Sequence, residues 1–195
     1  MDKGIFSDRE QAAEAAYFRQ HDARLVDRLR QDAKLEEVAT ALAEKLQIDN
    51  PDLLQKARLV GVTGDTAPAL LLAPLVQVAW VDGAVSESER ETVLRIVEDR
   101  GIDAGSPAYN QLADWLRTRP SDAVFDTAVE VIKYGLDVLP LQEKNERIER
   151  IVQACHEVAE ASGGGLLKAL GLGSGVSGNE ASMLDTITNT LRSGS

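Results

Sequence analysis

The chain has one cysteine, Cys155, and two histidines, His21 and His156. A lone thiol cannot close an internal disulfide, and these three residues cannot build a cysteine- or histidine-rich zinc site. Stability must then come from packing, and nothing calls for an oxidising compartment. Aromatic residues are also scarce, at 4%, which argues against a β-sandwich, because strands draw heavily on Trp, Tyr and Phe. No window approaches the ~18 uncharged apolar residues that a membrane-crossing helix needs. Charge begins at Asp2, so no leader segment is expected. An excess of positive charge is missing as well. The net charge is -11, with 25 acids against 14 bases over residues 35–195 and 7 of each over 1–34. Without a broad basic face, the chain cannot release phosphate counterions, so nucleic acid is excluded as a ligand. The expectation is a soluble cytoplasmic protein.

What is present is helical. Apolar residues make up 44% of the 195-residue chain, and Ala, Leu, Val, Glu and Arg dominate, which predicts an all-α protein. Punctuation divides it into about eight helices. A stretch without Gly or Pro runs from Ser7 to about Leu46. Asn50 then caps a second helix with Pro51 at its first position. A third is expected over roughly Thr66 to Val81, and a fourth from Ser86 to about Arg100, stopped by Gly101. Ser106-Pro107 opens a fifth that ends before Pro120. Ser121-Asp122 opens a sixth to about Val138, Pro140 a seventh to Ala161, and the last occupies Ser177 to Leu191. We expect two parts: a long N-terminal helix or arm over 1–48, and a helical domain over 49–195 with a Gly/Leu-rich insertion at 163–176.

The arm is thinly apolar. Between residues 7 and 34 six acids interleave with six bases, and Tyr17, Phe18, Leu25, Val26 and Leu29 make a narrow stripe. Such a stripe suits a protein partner or self-association, whereas many i,i+4 pairs would suit a solvated helix.

The chain contains an internal echo. "LLAPLVQVAWVDG" at 71–83 lies over "IVQACHEVAEASG" at 151–163 with an offset of 80, which sets Asp82 over Ser162 and Gly83 over Gly163. After the glycine the offset becomes 91, and "VSESERETVLRIV" lies over "VSGNEASMLDTIT", which sets Ser86 over Ser177 and Glu89 over Glu180. The difference, 91 minus 80, is an 11-residue insertion in the second turn. Two helix-turn-helix units related in this way would pack face to face around one core.

The pattern Ala-x-x-Asp-Gly-x-Val-Ser-x-x-Glu after an apolar helix, with a degenerate second copy, resembles the tellurite-resistance TerB-like family over roughly residues 65–195. The resemblance implies a bundle of two pseudo-repeated units, no enzymatic activity, a role in metal-related or other stress responses, and an acidic cation site at the two turns. Carried over, that site would use Asp82, Glu89 and Glu180 to hold a divalent cation, calcium or another. The sequence departs from the pattern at Ser162, where a second aspartate would stand, and in the insertion. More weakly, "FSDREQAAEAAYFRQHDARL" at 6–25 resembles the opening of ATPase-inhibitor zeta subunits.

The residues at the first turn support two readings. Against a calcium loop of the EF-hand type, Asp82 falls at position 5, Gly83 at 6 and Glu89 at 12, but positions 1 and 3 are Val78 and Trp80, so two carboxylates are missing. Read as structure, Ser86 with Glu89 three residues on is a capping box, repeated by Ser177 with Glu180, and each box is worth ~1 kcal/mol.

Other chemistry is sparse. Cys155 and His156 are neighbours, which on a helix point about 100° apart, so they form no dyad. "GLGSG" follows no strand and precedes no Lys-Ser/Thr, so it is not a phosphate loop. Leu166, Leu167, Leu170 and Leu172 form a tuft in the insertion that would either close over the protein's own core or dock on a partner or membrane surface. No nucleophile, base and stabiliser can be placed together, so no enzyme is expected. The alternative to a cation-binding module is a scaffold or inhibitor-like interaction module without metal.

Overall fold

The computed structural model describes residues 22–26, 49–162 and 176–193. Among them there is no strand, and the architecture is an all-α bundle. Residues 22–26 are helical and exposed. The rest of the 1–48 arm and the leucines of the 163–176 insertion lie outside the described residues.

Among the described residues eight helices follow from residue 51 onward: α1 (Pro51–Leu59), α2 (Ala67–Leu70), α3 (Ala73–Ala79), α4 (Glu87–Asp99), α5 (Pro107–Arg117), α6 (Asp122–Asp137), α7 (Leu141–Ser162) and α8 (Gly178–Arg192). Their starts follow the expected chemistry. The Asn50 side chain accepts from the amides of Asp52 and Leu53, and Ser106 accepts from Tyr109. Both caps satisfy amides that a helix cannot satisfy by itself. Gly101 closes α4 at φ 80°, a left-handed conformation open to glycine at no steric cost.

One expected helix is two. The segment from Thr66 to Val81 breaks at Leu71 and Leu72, between α2 and α3. Pro74 is the cause: it carries no amide hydrogen for the carbonyl of Leu70, and its ring would clash with that carbonyl in a continuous helix. The break restarts the chain with Pro74 in the first turn of α3.

That restart places the core. In α3 Ala73, Pro74, Leu75, Val76, Val78 and Ala79 are all buried, so this seven-residue helix is apolar around nearly its whole circumference. A helix of that kind must be surrounded, and α3 packs against α4, α5, α6, α7 and α8. It is too short to be stable alone, so its neighbours hold it. The longest of these eight helices, α7, packs along α3, α4 and α8 and adds Ile148, Ala154, Cys155, Val158 and Ala159 to the core. Two polar ties fix the periphery: Trp80 Nε1 donates to the carbonyl of Trp115 at 2.8 Å, and the Tyr134 hydroxyl donates to Asp49 at 2.8 Å.

Cys155 is fully buried, and burial pushes its thiol up to about 12, with Arg100 acting weakly the other way. Since the thiolate is the reactive species, the folded chain should not react with a thiol-specific reagent at pH 7, and labelling should track global unfolding in denaturant. Rapid labelling without denaturant would show that α7 opens locally.

Candidate functional site

The two turns singled out in the sequence meet in space. The first joins α3 to α4 through Asp82, Gly83 and Ser86; the second couples the end of α7 at Ser162 to the start of α8 at Ser177. Gly83, at φ 87°, lets the first turn reverse in a conformation that L side chains avoid.

Both capping boxes are closed. Glu89 Oε2 accepts from the Ser86 amide at 2.7 Å and from the Ser86 hydroxyl at 2.7 Å, while Ser86 Oγ accepts from the Glu89 amide at 3.2 Å. In the second turn Glu180 Oε2 accepts from the Ser177 amide at 2.6 Å, and Ser177 Oγ accepts from the Glu180 amide at 3.2 Å. The carboxylates lie inside the protein, Glu89 at 4% exposure and Glu180 at 0%. Exposed capping glutamates are common, but buried ones need every available donor, because an unpaired charge in apolar surroundings is costly.

Ser162 supplies the donor that completes Glu180. Its hydroxyl donates to Glu180 Oε1 at 2.5 Å and contacts the carbonyl of Ala159 at 2.8 Å. An aspartate at this position would press a second negative charge against the buried one. The departure from the repeated pattern therefore has a physical reason: the hydroxyl donates to a buried carboxyl that a second carboxylate would repel.

The first turn keeps its aspartate. Asp82 Oδ1 accepts from Asn179 Nδ2 at 3.1 Å, a link from the first turn to the first residues of α8. The carboxyl of Glu89 is pushed above the ordinary glutamate range, first by burial and further by the neighbouring charges of Glu180 and Asp82, while its bonds from Ser86 pull the other way. Of the three carboxylates named from the sequence, Asp82 and Glu180 are thus both within electrostatic reach of Glu89, although Glu89 and Glu180 are 91 positions apart. Among the described residues no group of three or more Asp, Glu, His or Cys side chains is arranged to hold a metal ion as it stands.

Asn179 and Ser162 belong to this cluster, and residue type gave neither away. Both occupy positions that align with the first turn, and each contributes a donor beside a carboxylate.

A second concave feature lies farther along α4 and α7. A groove of about 640 Å³ runs between the ends of α4 and α6 and the middle of α7. Comparison with protein-family models, with curated proteins and with solved structures finds no match to this chain.

The electrostatics give a signed prediction for Glu89. Its folded pKa lies above the unfolded value, so its contribution to stability is fully present below the ordinary glutamate pKa of about 4.3 and is lost as pH rises through the folded value. Glu89→Gln removes that slope and keeps an acceptor for the Ser86 amide, so it should match or exceed the wild type at pH 7. Glu89→Ala leaves the amide unpaired and should cost about 1–2 kcal/mol. Chemical denaturation of the three proteins between about pH 4 and about pH 8 checks this; equal losses in the two variants would contradict the charge assignment.

Proposed function

We propose that this chain is a non-enzymatic helical binding module of TerB-like plan, built from two pseudo-repeated units, whose facing turns form one cation-responsive clasp. The observation that carries the proposal is the convergence of Asp82, Glu89 and Glu180 from two distant turns into one buried-to-exposed cluster, where the charges of Glu180 and Asp82 add to the cost of ionising Glu89. A divalent cation relieves that repulsion. In this reading Asp82 and Glu89 supply oxygens to the ion, and Glu180 contributes charge while it holds its cap.

The caps set the strength of binding. Glu89 and Glu180 each already accept two hydrogen bonds, so the ion adds to a closed structure and does not assemble one. The positions of the missing EF-hand carboxylates, Val78 and Trp80, place affinity at the weak end of the calcium scale, with Kd ~1 mM. At tenfold excess such a ligand stabilises the fold by about 1.4 kcal/mol. The stress-response role implied by the family resemblance fits a module that reports a change in free cation by stiffening, and we place it in the cytoplasm, where Cys155 remains a thiol.

A scaffold reading without metal has its own support. Leu25 and Val26 are 49% and 44% exposed on the helical residues 22–26, in the stripe that the sequence offers to a partner or a second copy. The two readings separate experimentally.

Melting of the full chain should rise with millimolar calcium, magnesium or manganese, and the rise should vanish in Asp82→Ala/Glu89→Gln. Ser162→Asp should lower stability at pH 7 by setting a carboxylate against Glu180, and it should increase the response to the cation. A wild type whose melting ignores all three ions would remove the clasp proposal. For the scaffold reading, light scattering should report a mass above the 21.1 kDa monomer that falls to the monomer in Leu25→Glu/Val26→Glu; a monomeric wild type would refute self-association.

A further inference from the structure

The groove at the far end of α4 carries a charge pattern opposite to that of the chain. Four arginines line it, Arg95, Arg100, Arg147 and Arg150, against the carboxylates Asp99 and Glu157, on a protein of net charge -11. Their pairing is unequal. Arg95 is held by both Asp99 and Glu157, and Arg147 by Glu143. Among the described residues, Arg100 and Arg150 have no carboxylate within ion-pair distance. Arg150 Nε donates to the carbonyl of Glu146 at 3.3 Å, and Arg100 Nη2 to the carbonyl of Arg150 at 3.4 Å.

These two guanidiniums also repel. Partial burial pushes Arg100 below its ordinary range, Cys155 pulls the other way, and the charge of Arg150 adds a smaller push downward. Two like charges lining one groove, each bonded only to a backbone carbonyl, are an unmet electrostatic demand, and planar guanidiniums answer it best with an oxyanion taken in a fork. Beneath them the groove is aliphatic: Leu71, Ile96, Ile132, Leu136, Ile151 and Ala154 line it, with no aromatic ring. Its volume of about 640 Å³ falls inside the range of roughly 300–1,000 Å³ typical of small-molecule sites.

We propose that this groove binds a small phosphomonoester with an aliphatic body, the phosphate held between Arg100 and Arg150 and the hydrocarbon laid on the floor formed by α4, α6 and α7. Charge selects the head group: a phosphomonoester near neutral pH carries ≈ -1.5 to -2, which matches two free guanidiniums, whereas a carboxylate balances one of them. The floor selects the body, since a nucleoside would find no aromatic platform and an alkyl chain finds continuous aliphatic surface. The site stands apart from the clasp. Glu89 and Arg100 are 11 residues apart on one helix and its cap, or ~16 Å at 1.5 Å per residue.

Calorimetric titration of the full chain with decyl phosphate, below the concentration at which it forms micelles, should show one binding site. Decanol and inorganic phosphate each carry half of the ligand and should bind at least about ten-fold more weakly. Arg100→Ala and Arg150→Ala should each weaken decyl phosphate by about ten-fold or more, and Arg100→Gln and Arg150→Gln provide the same test with a longer stem retained. Arg117→Ala, which removes an exposed arginine of α5 paired with Asp114, should leave binding unchanged, as should Glu89→Gln at the clasp. Amide shifts on binding should cluster at residues 96–100 and 147–154. Absence of binding, equal binding by the arginine variants, shifts elsewhere, or decanoate binding as tightly as decyl phosphate would each overturn the proposal.

Discussion

A carboxylate can enter a protein interior only where donors are waiting for it, and this fold is arranged around two such entries. Glu89 and Glu180 lie at 4% and 0% exposure, and each is satisfied by the turn that it caps. Desolvation favours the neutral acid, and the hydrogen bonds favour the ion. At Glu89 desolvation prevails, helped by two neighbouring charges. At Glu180 a serine hydroxyl replaces what the pattern of the first turn would make a third competing charge. The starts of α4 and α8 are fixed by these contacts, and both helices lie on α7. The geometry of the bundle on that side therefore follows from the demand of two acids for donors.

The same constraint links local capping to packing. A solvent-exposed capping box contributes ~1 kcal/mol and little else. Here the glutamate of each box is buried although its serine is not, so a change at Ser86 or Ser177 removes a donor from a buried carboxyl as well as a cap from a helix, and the cost exceeds that of an exposed box. The core supplies the surroundings that make this so. Because α3 is buried on nearly every side, its end at Val78 and Ala79 lies in the core; the chain then surfaces at Asp82, Gly83 and Ala84, and Glu89 returns to the interior. Pro74 contributes indirectly: by breaking the long apolar segment, it lets α3 start afresh and face its five neighbours.

Much of this was legible in the sequence, and the illegible parts share a cause. Helix starts could be read because caps are local: Asn50, Ser86, Ser106 and Ser177 each stand within three residues of the amide they accept from. The convergence of the two turns could be anticipated from the echo at offsets of 80 and 91. The break at Leu71 and Leu72 was missed because apolar periodicity runs unbroken through it, while the steric effect of Pro74 falls four residues earlier. Ser162 read as a loss when compared with Asp82, yet its role depends on Glu180 across the turn, 18 positions away. The groove left no trace at all, since Arg100 and Arg150 come together only when α4 and α7 pack, and neither stands out among the 21 basic residues.

Charge unifies the two ends of α4. At its N-terminal end acids from two turns crowd together, although a helix N-terminus favours negative charge and so lowers the cost of holding Glu89 in the first turn. At its C-terminal end Arg100 occupies the cap position, where the macrodipole favours a cation and where Arg150 is brought beside it by α7. The first turn of α4 thus holds the sign that the helix dipole prefers, whereas its last turn is mixed, with Glu98 and Asp99 ahead of Arg100 at the cap. The excess of arginine at the second end belongs to the groove, where four arginines stand against Asp99 and Glu157. Within a chain of net charge -11, the negative surplus is one feature among many, whereas the positive surplus is set in a locally basic groove with an aliphatic floor. That contrast makes the groove the more selective of the two proposed sites: a cation meets carboxylates over much of the surface, but an anion with an apolar body meets two guanidiniums without carboxylate partners among the described residues, above hydrocarbon, in this groove.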